Sequence, residues 1–87
     1  MHLEVYVAAG CLGCDEAYAI ARIVQEHFPT VHVDVIHLDD LDRRGRVAPT
    51  SVVAVPTYLL DGEVISLGNP RRDDLIARLA VEQGGRS

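Results

Sequence analysis

The 87-residue sequence lacks a long apolar run, and no stretch approaches the ~18 apolar residues of a membrane span. It also lacks an excess of basic charge, since its net charge is −5. This balance argues against nucleic acid or an anionic membrane as the main partner. A basic segment followed by an apolar one is missing at the start, so we expect no signal peptide. Length and composition predict one domain over residues 1–83, with residues 84–87 as a flexible tail.

Cysteine is scarce as well, because Cys11 and Cys14 are the only two. Because we expect no export signal, we expect a reducing cytoplasm as the compartment. In such a compartment, two cysteines close in sequence are more often catalytic or metal-binding than part of a structural disulfide. Sulfurs at positions i and i+3 of a first helical turn lie on one face, close enough for a disulfide. The free N–H groups and the helix dipole favour thiolate over thiol there. A thiolate is the nucleophile of disulfide exchange and also a soft metal ligand.

Hydrophobic periodicity predicts the secondary structure around this pair. Alternating apolar residues predict strands over residues 2–8 and 31–38, and an apolar stripe at helical spacing predicts a helix from about Leu12 to His27. Strand, helix and strand in this order form a βαβ unit with parallel strands and a right-handed crossover. Residues 39–51 have the weakest pattern, and we expect one broken helix there.

The sequence pattern of the second half of the chain predicts a β-hairpin followed by a helix. Asp61-Gly62 stands between two apolar runs, and both positions of such a two-residue loop need positive φ. Asn69 is then expected to cap the last helix, with Pro70 at its first position. The predicted element order is therefore β-α-β-α-β-β-α.

In three features taken together, the chain resembles the thioredoxin-like superfamily. They are the Cys11-x-x-Cys14 pair at the start of the first helix, Val55-Pro56-Thr57 before a hairpin, and Gly68 before the last helix. The resemblance covers about residues 2–81. It implies an α/β thioredoxin-like fold with a four-stranded mixed sheet flanked by helices.

The resemblance also implies a role for each residue at the active face. Pro56 would be cis and would pack beside the cysteines, which turns the Val55 backbone outward. An incoming peptide would pair with this backbone as an added strand while its sulfur meets Cys11. Cys11 would attack a substrate disulfide, and Cys14 would resolve the mixed disulfide. Val55, Pro56 and Thr57 are accordingly the expected substrate-binding residues.

The residues around the cysteines differ from those of familiar thioredoxins, which carry Trp before the pair and Gly-Pro within it. This chain has Gly10 and Leu12-Gly13 at those positions, and it contains no tryptophan. Ala54 and Gly68-Asn69 do not reproduce the glutathione-binding features of glutaredoxins. The chain is similar to compact, glutaredoxin-sized members with thioredoxin-like features.

We therefore expect a small cytoplasmic thiol–disulfide oxidoreductase, monomeric and without a cofactor. Its expected partners are protein disulfide substrates and an unidentified thiol reductase. Two alternatives stay open: a soft-metal carrier that binds through the cysteine pair, and a non-catalytic thioredoxin-like binding module.

No metal is expected at either the cysteines or the histidines. Two thiolates alone give an incomplete tetrahedral site. The four histidines are scattered along the chain with nothing at ligand spacing: His2, His27, His32 and His37. His37, at the end of the second predicted strand, is expected to be a surface residue.

Overall fold

The computed structural model describes residues 1–84, within which four strands and three helices follow the predicted order. They are β1 (His2–Val7), α1 (Cys14–His27), β2 (His32–His37), α2 (Leu38–Arg43), β3 (Thr57–Leu60), β4 (Glu63–Leu67) and α3 (Arg72–Gly84). Gly84, predicted to begin the tail, is the last residue of α3. The rest of the predicted tail, residues 85–87, lies outside the described residues. None of the helices in residues 1–84 has the length and apolar character needed to cross a membrane.

The strands form one four-stranded mixed sheet, as predicted, and their order in it is β2-β1-β3-β4. β1 and β2 are parallel, and they are joined by the crossover through α1. β1 pairs antiparallel with β3, and β3 pairs antiparallel with β4. β1 is thus a central strand, and the chain passes from its carboxyl end into α1.

The core lies between one face of this sheet and the helices α1 and α3, which also contact each other. Alternate side chains of a strand point to the same face, so every second residue of β1 joins the core. α1 and α3 contribute stripes at helical spacing. The buried residues of this core on β1, β3, α1 and α3 are Leu3, Val5, Val7, Tyr58, Leu60, Cys14, Ala17, Ile20, Ala21, Val24, Leu75 and Leu79.

The hairpin between β3 and β4 has the predicted backbone. Asp61 has φ of 50° and Gly62 has φ of 86°, so both loop positions are in the left-handed region. Such turns match the right-handed twist of the two strands they join. The hairpin prediction is confirmed.

The broken helix expected over residues 39–51 is a six-residue helix followed by a separate turn. α2 begins at Leu38, directly after β2, and ends in a Schellman motif. In this motif the Arg46 N–H donates to the Leu41 carbonyl at 2.8 Å, while Gly45 takes φ of 67°. The Val52 N–H donates to the Pro49 carbonyl, which closes the later turn.

The start of α3 differs from the prediction by two residues. The helix begins at Arg72, and the Leu75 N–H donates to the Arg71 carbonyl at 3.0 Å. Pro70 is therefore outside the helix. Asn69, the predicted cap, makes other contacts, which lie at the cysteine turn.

Candidate redox site

Cys11 and Cys14 form a disulfide, with their Cα atoms 5.6 Å apart. This separation lies within the usual range for a disulfide. Cys11 is half-buried in the turn before α1, whereas Cys14 is the first residue of α1 and only 5% exposed. Leu12, between them, is 96% exposed. Of the two sulfur-bearing residues, Cys11 is thus the more accessible to a substrate.

The turn between the cysteines is held by a side chain from the other half of the protein. The Asn69 amide donates to the Gly13 carbonyl at 2.8 Å. Gly13 has φ of 89°, and a Cβ there would lie 3.0 Å from Asn69 Nδ2. Glycine suits both the left-handed backbone and this close approach. Asn69, expected as a helix cap, instead fixes the position of the cysteine turn.

Tyr58 extends this contact to the centre of the sheet. Its hydroxyl donates to Asn69 Oδ1 at 2.8 Å, and the residue is fully buried on β3. Burial, with a smaller contribution from the negative charge of Glu16, raises the pKa of Tyr58 far above its ordinary value. The hydroxyl is therefore a hydrogen-bond donor throughout the neutral pH range. A continuous hydrogen-bonded path runs from Tyr58 through Asn69 to Gly13.

The Val55–Pro56 peptide is cis, as predicted. Tyr6 pairs with Thr57, so Pro56 lies beside the carboxyl end of β1, the end that leads to the cysteines. Pro56 and Thr57 are buried, and Val55 is half-buried. The expected contact of Pro56 with the sulfurs, and the roles of these three residues toward a substrate, stay predictions.

Two carboxylates lie in the first turn of α1, Asp15 and Glu16. Glu16 Oε1 accepts hydrogen bonds from the guanidinium of Arg72, one of them from Nε at 2.8 Å. This ion pair offsets part of the negative charge that opposes a thiolate at the cysteine turn. Both side chains are nearly half exposed, so solvent screens the effect.

One group of polar side chains, at the amino end of β1, was not predicted from the sequence. His2, His32 and Asp34 place one possible ligand atom each within 4.8 Å of one another. The prediction that the histidines are scattered is therefore wrong for His2 and His32. The predicted parallel βαβ unit could have indicated this group, because parallel pairing brings the first residues of the two strands together. His27 is exposed at the end of α1, and the Nδ1 atom of His37 lies 3.4 Å from Asp39 Oδ2.

Comparison with solved structures gives the fold. A malarial protein has a TM-score of 0.64 and 20% identity, over 91% of this chain and 92% of that chain. Thioredoxin O2 from Arabidopsis thaliana in its oxidised state has a TM-score of 0.58 and 16% identity, over 94% of this chain and 72% of that chain. No protein-family model and no curated protein matches. This chain has the thioredoxin-like fold, with a Cys-x-x-Cys pair at the start of α1.

We expect the Asn69→Ala substitution to lower the free energy of unfolding by about 1–2 kcal/mol, because it leaves the buried Tyr58 hydroxyl without its partner. The Tyr58→Phe/Asn69→Ala double variant should cost less than the sum of the two single variants, by about 1 kcal/mol. Urea denaturation of the four proteins, all with the disulfide intact, measures this coupling. Additive losses would show that the two side chains act independently.

Proposed function

We propose that this protein is a small thiol–disulfide oxidoreductase that reduces or exchanges protein disulfides through Cys11 and Cys14. The observation that carries the proposal is the Cys11–Cys14 disulfide at the start of α1 in a thioredoxin-like fold, with Cys11 the more exposed residue. The proposal includes a reducing cytoplasm as the compartment and a monomer as the working form. A thiol reductase from the same compartment would return the disulfide to the dithiol.

The reaction begins from the dithiol form. The Cys11 thiolate attacks one sulfur of a substrate disulfide, which forms a mixed disulfide and releases the other substrate sulfur as a thiolate. The Cys14 thiolate then attacks the sulfur of Cys11. The second substrate sulfur leaves as a thiolate, and both released thiolates take protons from solvent. The substrate gains two electrons, and the protein is left with the Cys11–Cys14 disulfide seen in the structure.

A protein substrate would bind along the segment before β3. Within residues 1–84, the backbone N–H and carbonyl of Val55 have no hydrogen-bond partner. An extended peptide can use such groups as the edge of an added strand. The exposed side chain of Leu12 offers an apolar contact next to the reacting sulfur. This arrangement supports Val55 as a substrate-binding residue; Pro56 and Thr57, which are buried, are proposed with it because they hold the Val55 backbone in place at the start of β3.

The two alternatives have less support. Among the described residues, no histidine, carboxylate or further cysteine joins the two sulfurs in a group able to hold a metal ion. A soft-metal carrier would therefore need ligands from a second molecule. A binding module without catalysis would keep the cysteine pair only as a structural disulfide, and the half-buried Cys11 next to the exposed Leu12 favours a pair that a substrate can reach.

The roles of the two sulfurs predict opposite behaviour of two variants. Cys14→Ser should accumulate a mixed disulfide with insulin, because no resolving thiol remains, whereas Cys11→Ser should not. The covalent adduct is measured by mass spectrometry under non-reducing conditions, and dithiothreitol should release it. The unaltered protein should accelerate the reduction of insulin by dithiothreitol, and both variants should return the rate to that of dithiothreitol alone.

Trapping by Cys11→Ser alone would reverse the two roles. Failure of the unaltered protein to accelerate insulin reduction would contradict the proposed function itself.

The trapped complex also tests the binding segment. In the mixed disulfide of Cys14→Ser with a cysteine-containing peptide, hydrogen exchange of the Val55 amide should slow by about fivefold or more. A hydrogen bond of about 1 kcal/mol produces that change. The amide of Val47, in the exposed segment after α2, is the internal control and should exchange at the same rate in both states. Equal exchange of Val55 in both states would rule out strand addition at this segment.

A further inference from the structure

A second polar site lies at the amino ends of β1 and β2, on the sheet face opposite the core. His2 and His32 are direct partners in the parallel register, and Asp34 follows two residues later on the same face. The Nε2 atom of His2 lies 2.8 Å from Asp34 Oδ2, and the Nε2 atom of His32 lies 3.2 Å from the same oxygen. Two imidazole nitrogens thus converge on one carboxylate.

The two nitrogen–oxygen separations are close to those around a small divalent cation, and all three ligand atoms lie within 4.8 Å of one another. Ligands at about 2.0–2.2 Å from a tetrahedral zinc ion lie roughly 3.3 Å from one another. The separation between His32 and Asp34 already matches this value. The shorter separation between His2 and Asp34 is that of a hydrogen bond, and it would have to open by roughly 0.5 Å when a metal replaces the shared proton. The two rings lie edge to face with centroids 4.8 Å apart, and both Nε2 atoms lie near the same oxygen.

The backbone around His2 is fixed on both sides. The His2 carbonyl accepts a hydrogen bond from the Asp61 N–H at 2.8 Å, and the His2 N–H donates to Asp61 Oδ1 at 2.8 Å. On the other side, the His32 N–H donates to the Met1 carbonyl at 3.0 Å. Ligands on a rigid sheet need little reorganisation to bind an ion.

We infer that His2, His32 and Asp34 form a binding site for a divalent transition-metal ion of the zinc class, separate from the cysteine pair. Two imidazole nitrogens and one carboxylate are three protein ligands, which leaves a fourth position for water or for a ligand from a partner. The side chains of His2, His32 and Asp34 are 41%, 70% and 44% exposed, so an ion has access from solvent.

The site is far from the redox chemistry. His2 begins the six-residue strand β1 and Val7 ends it, so the two ends are roughly 17 Å apart at about 3.4 Å per residue. The cysteine turn follows the carboxyl end. Binding at the histidines can therefore be measured without the sulfurs, provided that they are held in the disulfide.

The test is calorimetric titration of the oxidised protein with zinc chloride, using a chain without a histidine tag. The sulfurs of the disulfide are not thiolate ligands, so we expect one zinc ion per chain from the histidine site alone. His32→Gln should weaken binding by at least about tenfold, since metal sites lose that much even from outer partners. His27→Gln, at the exposed end of α1, is the matched control and should bind as the unaltered protein does.

Circular dichroism shows whether each variant is folded. A second measurement uses the unaltered protein, so it does not depend on the folding of a variant. Cobalt(II) added to the unaltered oxidised protein should broaden the ring proton signals of His2 and His32 and leave those of His27 unchanged. Absence of saturable zinc binding, or equal zinc affinity of the unaltered protein and a folded His32→Gln variant, would overturn the inference. Cobalt binding that leaves the His2 and His32 rings unaffected would overturn it as well.

Discussion

The central position of β1 is the constraint on which the rest of the structure depends. This strand is hydrogen-bonded to β2 on one side and to β3 on the other, and its side chains Leu3, Val5 and Val7 are fully buried. Because β1 and β2 are parallel, the chain must cross over through α1, which begins at the carboxyl end of β1. The cysteine turn lies there. The same parallel pairing brings the first residues of β1 and β2 together, so the cysteine pair and the proposed metal site lie at opposite ends of one strand.

The cysteine turn and the start of α1 are held by polar contacts from the segment that leads into α3 and from the first residue of α3. Asn69 binds the Gly13 carbonyl, and Arg72 pairs with Glu16 in the first turn of α1. Neither contact involves a sulfur, so neither has to change when the disulfide opens or closes. Dithiol–disulfide exchange requires that the two sulfurs stay within bonding reach in both states. We therefore attribute the positioning of the cysteine pair to α1 together with Asn69 and Arg72.

Local patterns predicted most of the fold, because the alternation in β1 and the stripe of α1 depend only on residues a few positions apart. Contacts between distant residues decided the rest. Asn69-Pro70 has the composition of a helix start, but the Asn69 side chain is bound to Gly13, 56 residues earlier, and α3 begins later. His2 and His32 looked scattered because their proximity comes from the strand register. The βαβ prediction implied parallel strands without stating which residues pair.

The central claim is that Cys11 and Cys14 are a working redox couple rather than a structural disulfide. Equilibration of the protein in a series of glutathione and dithiothreitol buffers, followed by thiol alkylation and mass spectrometry, measures the reduction potential directly. We predict one two-electron transition between about −120 and −270 mV, the range of thiol–disulfide oxidoreductases. A midpoint below about −300 mV, as in structural disulfides, would contradict it, as would cysteines that form no intramolecular disulfide in any buffer.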